Sequence, residues 1–157
     1  MSDEINDLIQ RYAAGPALIR AAVAGMTVAQ AAARPIAGKW SALEVVAHLA
    51  DFEVIGVDRL TAVIAEHEPP LPGRCEQKYA ARLAYDRRDL EEQLQLIELC
   101  RSHVGKVLQT LTPDDWQRRG IHSEAGPLTL RQLLQRVVGH VEHHVPFILA
   151  KREALGL

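Results

Sequence analysis

The chain has 157 residues, of which 24% are charged and 48% hydrophobic, and this balance is typical of one globular domain covering residues 1–157. The net charge of −2 provides no positive field that would attract nucleic acid, and no apolar stretch is long enough to span a membrane. We therefore expect no nucleic-acid or membrane partner. Two cysteines are too few for a disulfide framework, and the acidic start of the sequence does not resemble a signal peptide, so we expect a cytoplasmic protein.

The composition favours helix over strand. The 22 Ala and 20 Leu residues exceed a quarter of the chain, whereas Phe, Trp and Tyr together number seven. No run of four or more residues alternates cleanly between apolar and polar, so the evidence for strands is poor. Ser or Thr followed three residues later by an acid or Gln, the pattern of a helix-capping box, occurs at Thr27/Gln30, Ser41/Glu44, Thr112/Asp115 and Thr129/Gln132.

These start signals predict four long helices and two short ones. The long helices are predicted over residues 3–25, 41–67, 83–111 and 128–154, and Pro16 is expected to kink or break the first of them. The short helices are predicted over residues 27–33 and 113–118. Four helices of roughly 20–28 residues in one domain pack most simply as an antiparallel four-helix bundle. The link before residue 83 is expected to cross the end of this all-α bundle.

Seven histidines make metal binding the first functional question. Residues three, four and seven apart share a helix face, so His48 lies on an apolar, inward stripe, and His140 and His144 lie one turn apart on another. A lone histidine on such a stripe is more typical of the core. Two inward imidazoles, however, would repel each other if protonated, and a divalent metal would take up their lone pairs. Three histidines also leave coordination positions open for water or substrate.

The other histidines are predicted to lie outside this site. We expect a helix end for His67, a boundary between faces for His103, a loop near the bundle mouth for His122 and the polar side of the last helix for His143. Competing metal motifs fail: Glu142 stands at the wrong offset for a zinc protease, and no Glu has a His three residues later, as a di-iron bundle requires.

Two stretches resemble the DinB/YfiT-like metalloprotein superfamily. They are GKWSALEVVAHLAD at 38–51, and GPLTLR at 126–131 followed by VGHVEHH at 138–144, and the resemblance covers essentially the whole chain. It implies an up-down-down-up four-helix bundle with two short additional helices, in which His48, His140 and His144 bind a divalent zinc, nickel or iron ion. It also implies a homodimer and a small-molecule substrate. Pro146 departs from a regular last helix and is expected to kink it just past the ligands.

The resemblance leaves three functions open. Family members are named as metal-dependent hydrolases of unproven reaction. For hydrolysis, Asp51 is our candidate for the base, or for a residue that supports the metal ligands from behind. Glu53 is predicted at the surface, and Glu142 is predicted to lie away from the metal. Relatives that use small thiols suggest an S-transferase instead. The third possibility is a non-catalytic metal- or ligand-binding stress protein, and a bare bundle without metal is the simplest alternative.

An S-transferase would need a thiol from outside, because neither Cys75 in a loop nor Cys100 within a helix has the pattern of a nucleophile. A metal would deprotonate the exogenous thiol. Basic side chains near the bundle mouth could then hold the thiol's carboxylates. The candidates are Arg74, Lys78, Arg82 and Arg119, for each of which ordinary surface is the stronger interpretation.

Overall fold

The computed structural model describes residues 3–157, so the predicted domain extends two residues beyond the described part. Within this range the chain forms six α-helices: α1 Asp3–Val23, α2 Val28–Ala32, α3 Ala42–Ala65, α4 Glu76–Arg82, α5 Leu90–Leu108 and α6 Leu130–Ala154. Three strands accompany them: β1 Pro70–Leu71, β2 Arg119–His122 and β3 Gly126–Thr129. Short 3-10 turns occupy Tyr85–Arg87 and Pro113–Gln117.

The four long helices α1, α3, α5 and α6 form a bundle with up-down-down-up connectivity, as predicted. Helices α1 and α3 each pack against both α5 and α6. The buried side chains form two clusters, one toward each end of the bundle. Large members of the first cluster are Tyr12, Leu60, Leu108, Trp116 and Leu134, and large members of the second are Ile19, Leu49, Ile97 and Ile148. Burial of these apolar side chains stabilises the bundle through the hydrophobic effect.

All four predicted capping boxes form. The one that positions the functional helix is at Ser41, where the Glu44 N–H donates to Ser41 Oγ at 3.1 Å and the Ser41 N–H donates to Glu44 Oε2 at 2.7 Å. The Arg34 guanidinium also bonds the Glu44 carboxylate. These contacts satisfy N–H groups at the start of α3 and hold the carboxylate buried, about one turn before His48.

The predicted start of the third long helix at residue 83 is wrong. Helix α5 begins at Leu90, after Asp89, whose side chain accepts a hydrogen bond from the Glu92 N–H at 2.9 Å. The preceding residues form the separate helix α4, and Ala84 breaks the path between them with a left-handed φ of 49°. The connection between α3 and α5 is therefore a structured crossover rather than a plain link.

A small sheet, which the sequence did not predict, closes one end of the bundle. Strand β2 pairs in parallel with β1 and antiparallel with β3. Gly120 on β2 lies so close to α3 and β1 that a Cβ there would stand 2.7 Å from Leu71 Cδ1 and 2.8 Å from Val63 Cγ2. The Arg118 side chain donates to the Val63 carbonyl at 2.9 Å. This packing anchors the loop before α6.

Helices α1 and α6 run through their internal prolines, Pro16 and Pro146, without a break. Beyond Pro146, Ile148 is fully buried and Phe147 is 42% exposed. The side chains after the proline therefore keep the helical alternation between core and surface. Across residues 3–157, none of the helices has the length and apolar character needed to cross a membrane.

Candidate metal centre

Three histidines from two helices meet at one point in the bundle. His48 comes from the middle of α3, and His140 and His144 come from successive turns of α6. The Nε2 atoms of His48 and His140 lie 2.9 Å apart, and the three ring centroids are separated by 4.7–4.8 Å. One ring nitrogen from each histidine lies within 4.8 Å of the other two. The structure thus brings together the three side chains chosen from the sequence.

All three imidazoles are held in the neutral form. Burial, reinforced by repulsion between the histidines, lowers the pKa of His48 to about 4 and that of His140 to about 3. Burial and the neighbouring His143 and Lys151 lower the pKa of His144 to about 4. At neutral pH each ring therefore keeps an unprotonated nitrogen with a free lone pair, which is the form that binds metals.

The donor set fits a divalent cation. A metal–nitrogen distance of about 2.0–2.1 Å puts two nitrogens on one ion about 3–4 Å apart, close to the separations seen here. Among residues 3–157, the buried Nδ1 atoms of His48 and His144 have no hydrogen-bond partner, so no protein acceptor fixes the tautomer of these two rings. Imidazole ligands suit zinc, nickel and iron alike.

Aromatic rings surround the cluster. The Phe52 ring centroid lies 4.6 Å from that of His48 and 5.6 Å from that of His140, and Trp40 lies 5.3 Å from His48. Tyr79 of α4 packs at 5.6 Å against Phe52, which places α4 over this side of the site. The rings keep bulk water from the imidazoles and strengthen electrostatic interactions inside the site.

The sequence analysis missed a carboxylate beside the cluster. Glu76 Oε2 lies 3.9 Å from His48 Nε2, and the Glu76 side chain remains 48% exposed. It is the first residue of α4, a helix that the sequence did not predict, because its seven residues depend on the crossover rather than on a strong local pattern. Glu76 thus combines contact with the histidines and access to solvent.

Asp51, our candidate base, lies in an ion pair with Arg88. Its two carboxylate oxygens accept hydrogen bonds from Arg88 Nη1 at 2.7 Å and from Nη2 at 3.0 Å. Both side chains are largely buried, at 16% and 21% exposure. This geometry fixes Asp51 one turn after His48 and joins α3 to the segment before α5, while its role as a base stays a prediction.

The prediction that Glu53 lies at the surface is wrong. Glu53 is 4% exposed, and its Oε2 accepts a hydrogen bond from Arg101 Nη2 at 2.9 Å. Arg101 also donates through Nη1 to the Tyr12 carbonyl at 2.8 Å. Burial raises the pKa of Glu53, and the Arg101 charge opposes that shift. A partner on α5, 48 positions away, explains why the local pattern of α3 did not reveal this buried pair.

The other four histidines lie outside the cluster. His67, which lies just past the end of α3, His103 and His143 are exposed, whereas His122 lies half-buried in β2 and not in the predicted loop. Glu142 faces away from the cluster and forms an ion pair with Arg11 at 2.8 Å. The four basic side chains considered for a thiol, Arg74, Lys78, Arg82 and Arg119, are all exposed.

Two cavities adjoin the cluster on opposite sides. One of about 330 Å³ is bounded by His144, Trp40 and Phe147, with Lys39 and Lys151 also in its lining. The other, of about 90 Å³, is bounded by His140 and Phe52. A concave, largely apolar site with a few convergent polar groups is typical of small-molecule binding.

The chain is similar in sequence to proteins of one family. Residues 11–148 match the sequence profile of the DinB superfamily. A relative from Bacillus licheniformis is 31% identical over 155 residues, covering 97% of this chain and 85% of the relative. Another from Oceanobacillus iheyensis is 28% identical over 151 residues, covering 95% and 87%. Both relatives are named as candidate metal-dependent hydrolases.

Two solved structures share the fold. YfiT from Bacillus subtilis, described as a candidate metal-dependent hydrolase with an unusual four-helix bundle topology, superposes with a TM-score of 0.90 at 26% identity, covering 99% of this chain and 90% of YfiT. A mycothiol-dependent maleylpyruvate isomerase superposes with a TM-score of 0.71 at 12% identity, covering 90% of this chain and 59% of the isomerase, and shows a common fold. With the family profile matched over most of its length, this chain belongs to the DinB superfamily.

Proposed function

We propose that this protein is a metal-dependent hydrolase of a small molecule, with His48, His140 and His144 as the ligands of one divalent cation. The observation that carries the proposal is the convergence of three neutral imidazoles on one point, two of them buried and that of His140 half-buried. The names of the B. licheniformis and O. iheyensis relatives support the same reaction class. Zinc, nickel and iron are the candidate ions, because imidazole binds each of them.

When bound, the metal supplies a Lewis acid that polarises the substrate and lowers the pKa of a water molecule toward ~7. The chain's own residues hold the ion and shield the site from water. His140 and His144, one turn apart on a rigid helix, fix the direction of two lone pairs, and His48 supplies the third from α3. Phe52 and Trp40 exclude bulk water from this side of the site. The three histidines would hold the ion and would leave coordination positions for the reacting groups.

Glu76 is the side chain that we propose as the proton acceptor. Its carboxylate stands 3.9 Å from His48 Nε2 and is half exposed, so it can take a proton at the site and release it to solvent. Asp51, the acceptor proposed from the sequence, has both oxygens engaged by Arg88. We therefore propose that Asp51 acts by holding its part of α3 and the segment before α5 in place.

A small-thiol-dependent S-transferase is the second candidate. The supporting observation is that a bundle of this fold serves a mycothiol-dependent isomerase. The thiol would be exogenous, since burial raises the pKa of the Cys100 thiol and Cys75 lies exposed in the loop before α4. In this reaction the same three histidines would hold the metal, and the metal would stabilise the thiolate.

A substrate panel separates these candidates. The zinc-, nickel- and iron-loaded protein is assayed against small esters and amides, and against electrophiles with and without a low-molecular-weight thiol. Hydrolysis without thiol supports the first candidate, and turnover that requires thiol supports the second. Metal binding without turnover on either arm would contradict both and favour a non-catalytic metal-binding protein.

We further propose a cytoplasmic homodimer. Both cysteines are free, as a reducing compartment favours. Exposed apolar side chains, among them Val28 at 84% and Leu99 at 69%, provide surface that a second copy could cover. Sedimentation equilibrium tests the assembly, and a molecular mass of one chain across the micromolar range would contradict it.

A further inference from the structure

The smaller cavity beside the histidine cluster carries cationic side chains that the proposed hydrolysis does not use. It lies in the groove between α3 and α6, where His140 and Phe52 form the end nearest the cluster. Its volume of about 90 Å³ is several times the ~10–15 Å³ that one water molecule needs. It can therefore take a small chemical group but not a large ring system.

Three basic groups from three elements line this cavity. Arg59 comes from α3, His122 from β2 and Arg136 from α6. Within residues 3–157, neither Arg59 nor Arg136 forms an ion pair with a carboxylate. Arg59 uses Nη2 to donate to the Pro72 carbonyl, which holds its guanidinium at the cavity. Arg59 is half-buried and Arg136 is exposed at the rim of the cavity, so both guanidinium groups face it without a carboxylate partner.

The positive charges are close enough to act on one another. Burial lowers the pKa of Arg59, and repulsion by Arg74 and Arg136 adds to this shift. Burial, Arg59 and Arg136 likewise lower the pKa of His122. An anion in the cavity would relieve this repulsion, and guanidinium groups bind carboxylate and phosphate oxygens through paired hydrogen bonds.

The acidic groups nearby do not cancel the cavity's charge. Glu53 also lines the cavity, but its carboxylate is paired with the buried Arg101. Asp58 and Glu124 do not line the cavity. Their charges favour the protonated form of Arg59, and Glu124 also favours that of His122, but neither carboxylate is close enough for an ion pair. The positive charge of the two arginines is therefore left for a ligand.

We propose that this cavity is a subsite for a small oxyanion, a carboxylate or phosphate group carried by the substrate. This inference rests on the proposed function, and it adds that the substrate is an anion. His140 belongs both to the histidine cluster and to the cavity lining, so a substrate anchored by Arg59 and Arg136 would extend its neighbouring atoms toward the cluster. The anion would act as a handle that orients the reacting bond.

Titration with inorganic phosphate and with acetate tests the subsite, in both metal-free and zinc-loaded protein. The variants are Arg59→Gln and Arg136→Gln, with Arg87→Gln as the matched control on the exposed surface. Thermal unfolding verifies that each variant folds, and Arg136→Gln keeps the test informative if loss of the Pro72 contact unfolds the other. We expect saturable binding to the metal-free protein, weakened about tenfold or more by either cavity variant and unchanged by the control.

The two anions distinguish a carboxylate handle from a phosphate handle by which of them binds more tightly. Equal binding to the wild type and both cavity variants, or no saturable binding to metal-free wild type, would overturn the subsite. Failure of the wild type to bind zinc would instead overturn the proposed function and leave the anion result standing, because the metal-free titration does not depend on the metal.

Discussion

The Nε2 atoms of His48 and His140 lie 2.9 Å apart, although the two residues are 92 positions apart in the chain. At this distance two imidazolium ions would repel each other strongly. Burial is the main cause that lowers the pKa of His48 to about 4 and that of His140 to about 3, with repulsion by His144 adding to the first shift and repulsion by His48 and His144 to the second. The folded protein therefore holds neutral imidazoles at one point, with His144 beside them. This is the arrangement that a metal site needs before the metal arrives.

The stability of the metal-free protein should fall as the pH is lowered from 7 to 5. In the unfolded chain histidines take up protons near pH 6.5, whereas the folded cluster does so only near pH 3–4. The unfolded state thus binds more protons between these values, and the stabilisation present above pH 6.5 is lost progressively as the pH falls. Urea unfolding at several pH values measures this effect.

Variants assign that pH dependence to the cluster. His140→Phe removes a histidine with a strongly lowered pKa and should flatten the dependence, while His103→Phe on the exposed side of α5 should leave it unchanged. If the two variants and the wild type show the same pH dependence, other groups are responsible and our account of the neutral cluster is contradicted.

Breaking the buried Arg101–Glu53 pair should destabilise the bundle. Arg101→Met leaves the Glu53 carboxylate buried without its cation, and Glu53→Met leaves the guanidinium unpaired, so we expect each to cost about 3–5 kcal/mol of unfolding free energy. The double variant removes both charges and should cost less than the sum of the single changes. Additive losses in urea unfolding would show that the pair is not coupled.

Glu76 and Asp51 should respond differently to loss of their charge. With zinc bound, Glu76→Gln should keep the metal and lower hydrolytic turnover about 100-fold or more, because it removes a proton acceptor. Asp51→Asn should lower turnover far less and should destabilise the fold through its weakened contact with Arg88. Steady-state rates and metal content measured on the same samples check both. A larger loss of turnover in Asp51→Asn would return the role of base to Asp51.

The sequence predicted the features that depend on local contacts. The two residues of a capping box lie within four positions of each other, so Ser41 and Glu44 predict the start of α3 directly. The spacing of His140 and His144 similarly reports a shared helix face. Asp89 and Glu92 have a similar spacing at the start of α5, but only Ser and Thr were considered as capping residues.

The features that the sequence did not predict depend on distant partners. Glu53 is buried because Arg101 meets it from another helix, and a carboxylate on the polar-looking side of α3 gives no local sign of that. Strand β2 pairs both with β1, about 50 positions earlier, and with β3, which follows it directly, and its four residues are too short for a period-two pattern. Glu76 reaches His48 because the crossover between α3 and α5 folds back over the site.

Metal content of the purified protein tests the central claim most directly. Elemental analysis of wild type, His144→Ala and His143→Ala compares a cluster residue with its exposed neighbour on the same helix. We expect about one divalent ion per chain in wild type and in His143→Ala, and little or none in His144→Ala. Equal metal content in wild type and His144→Ala would contradict the three-histidine site.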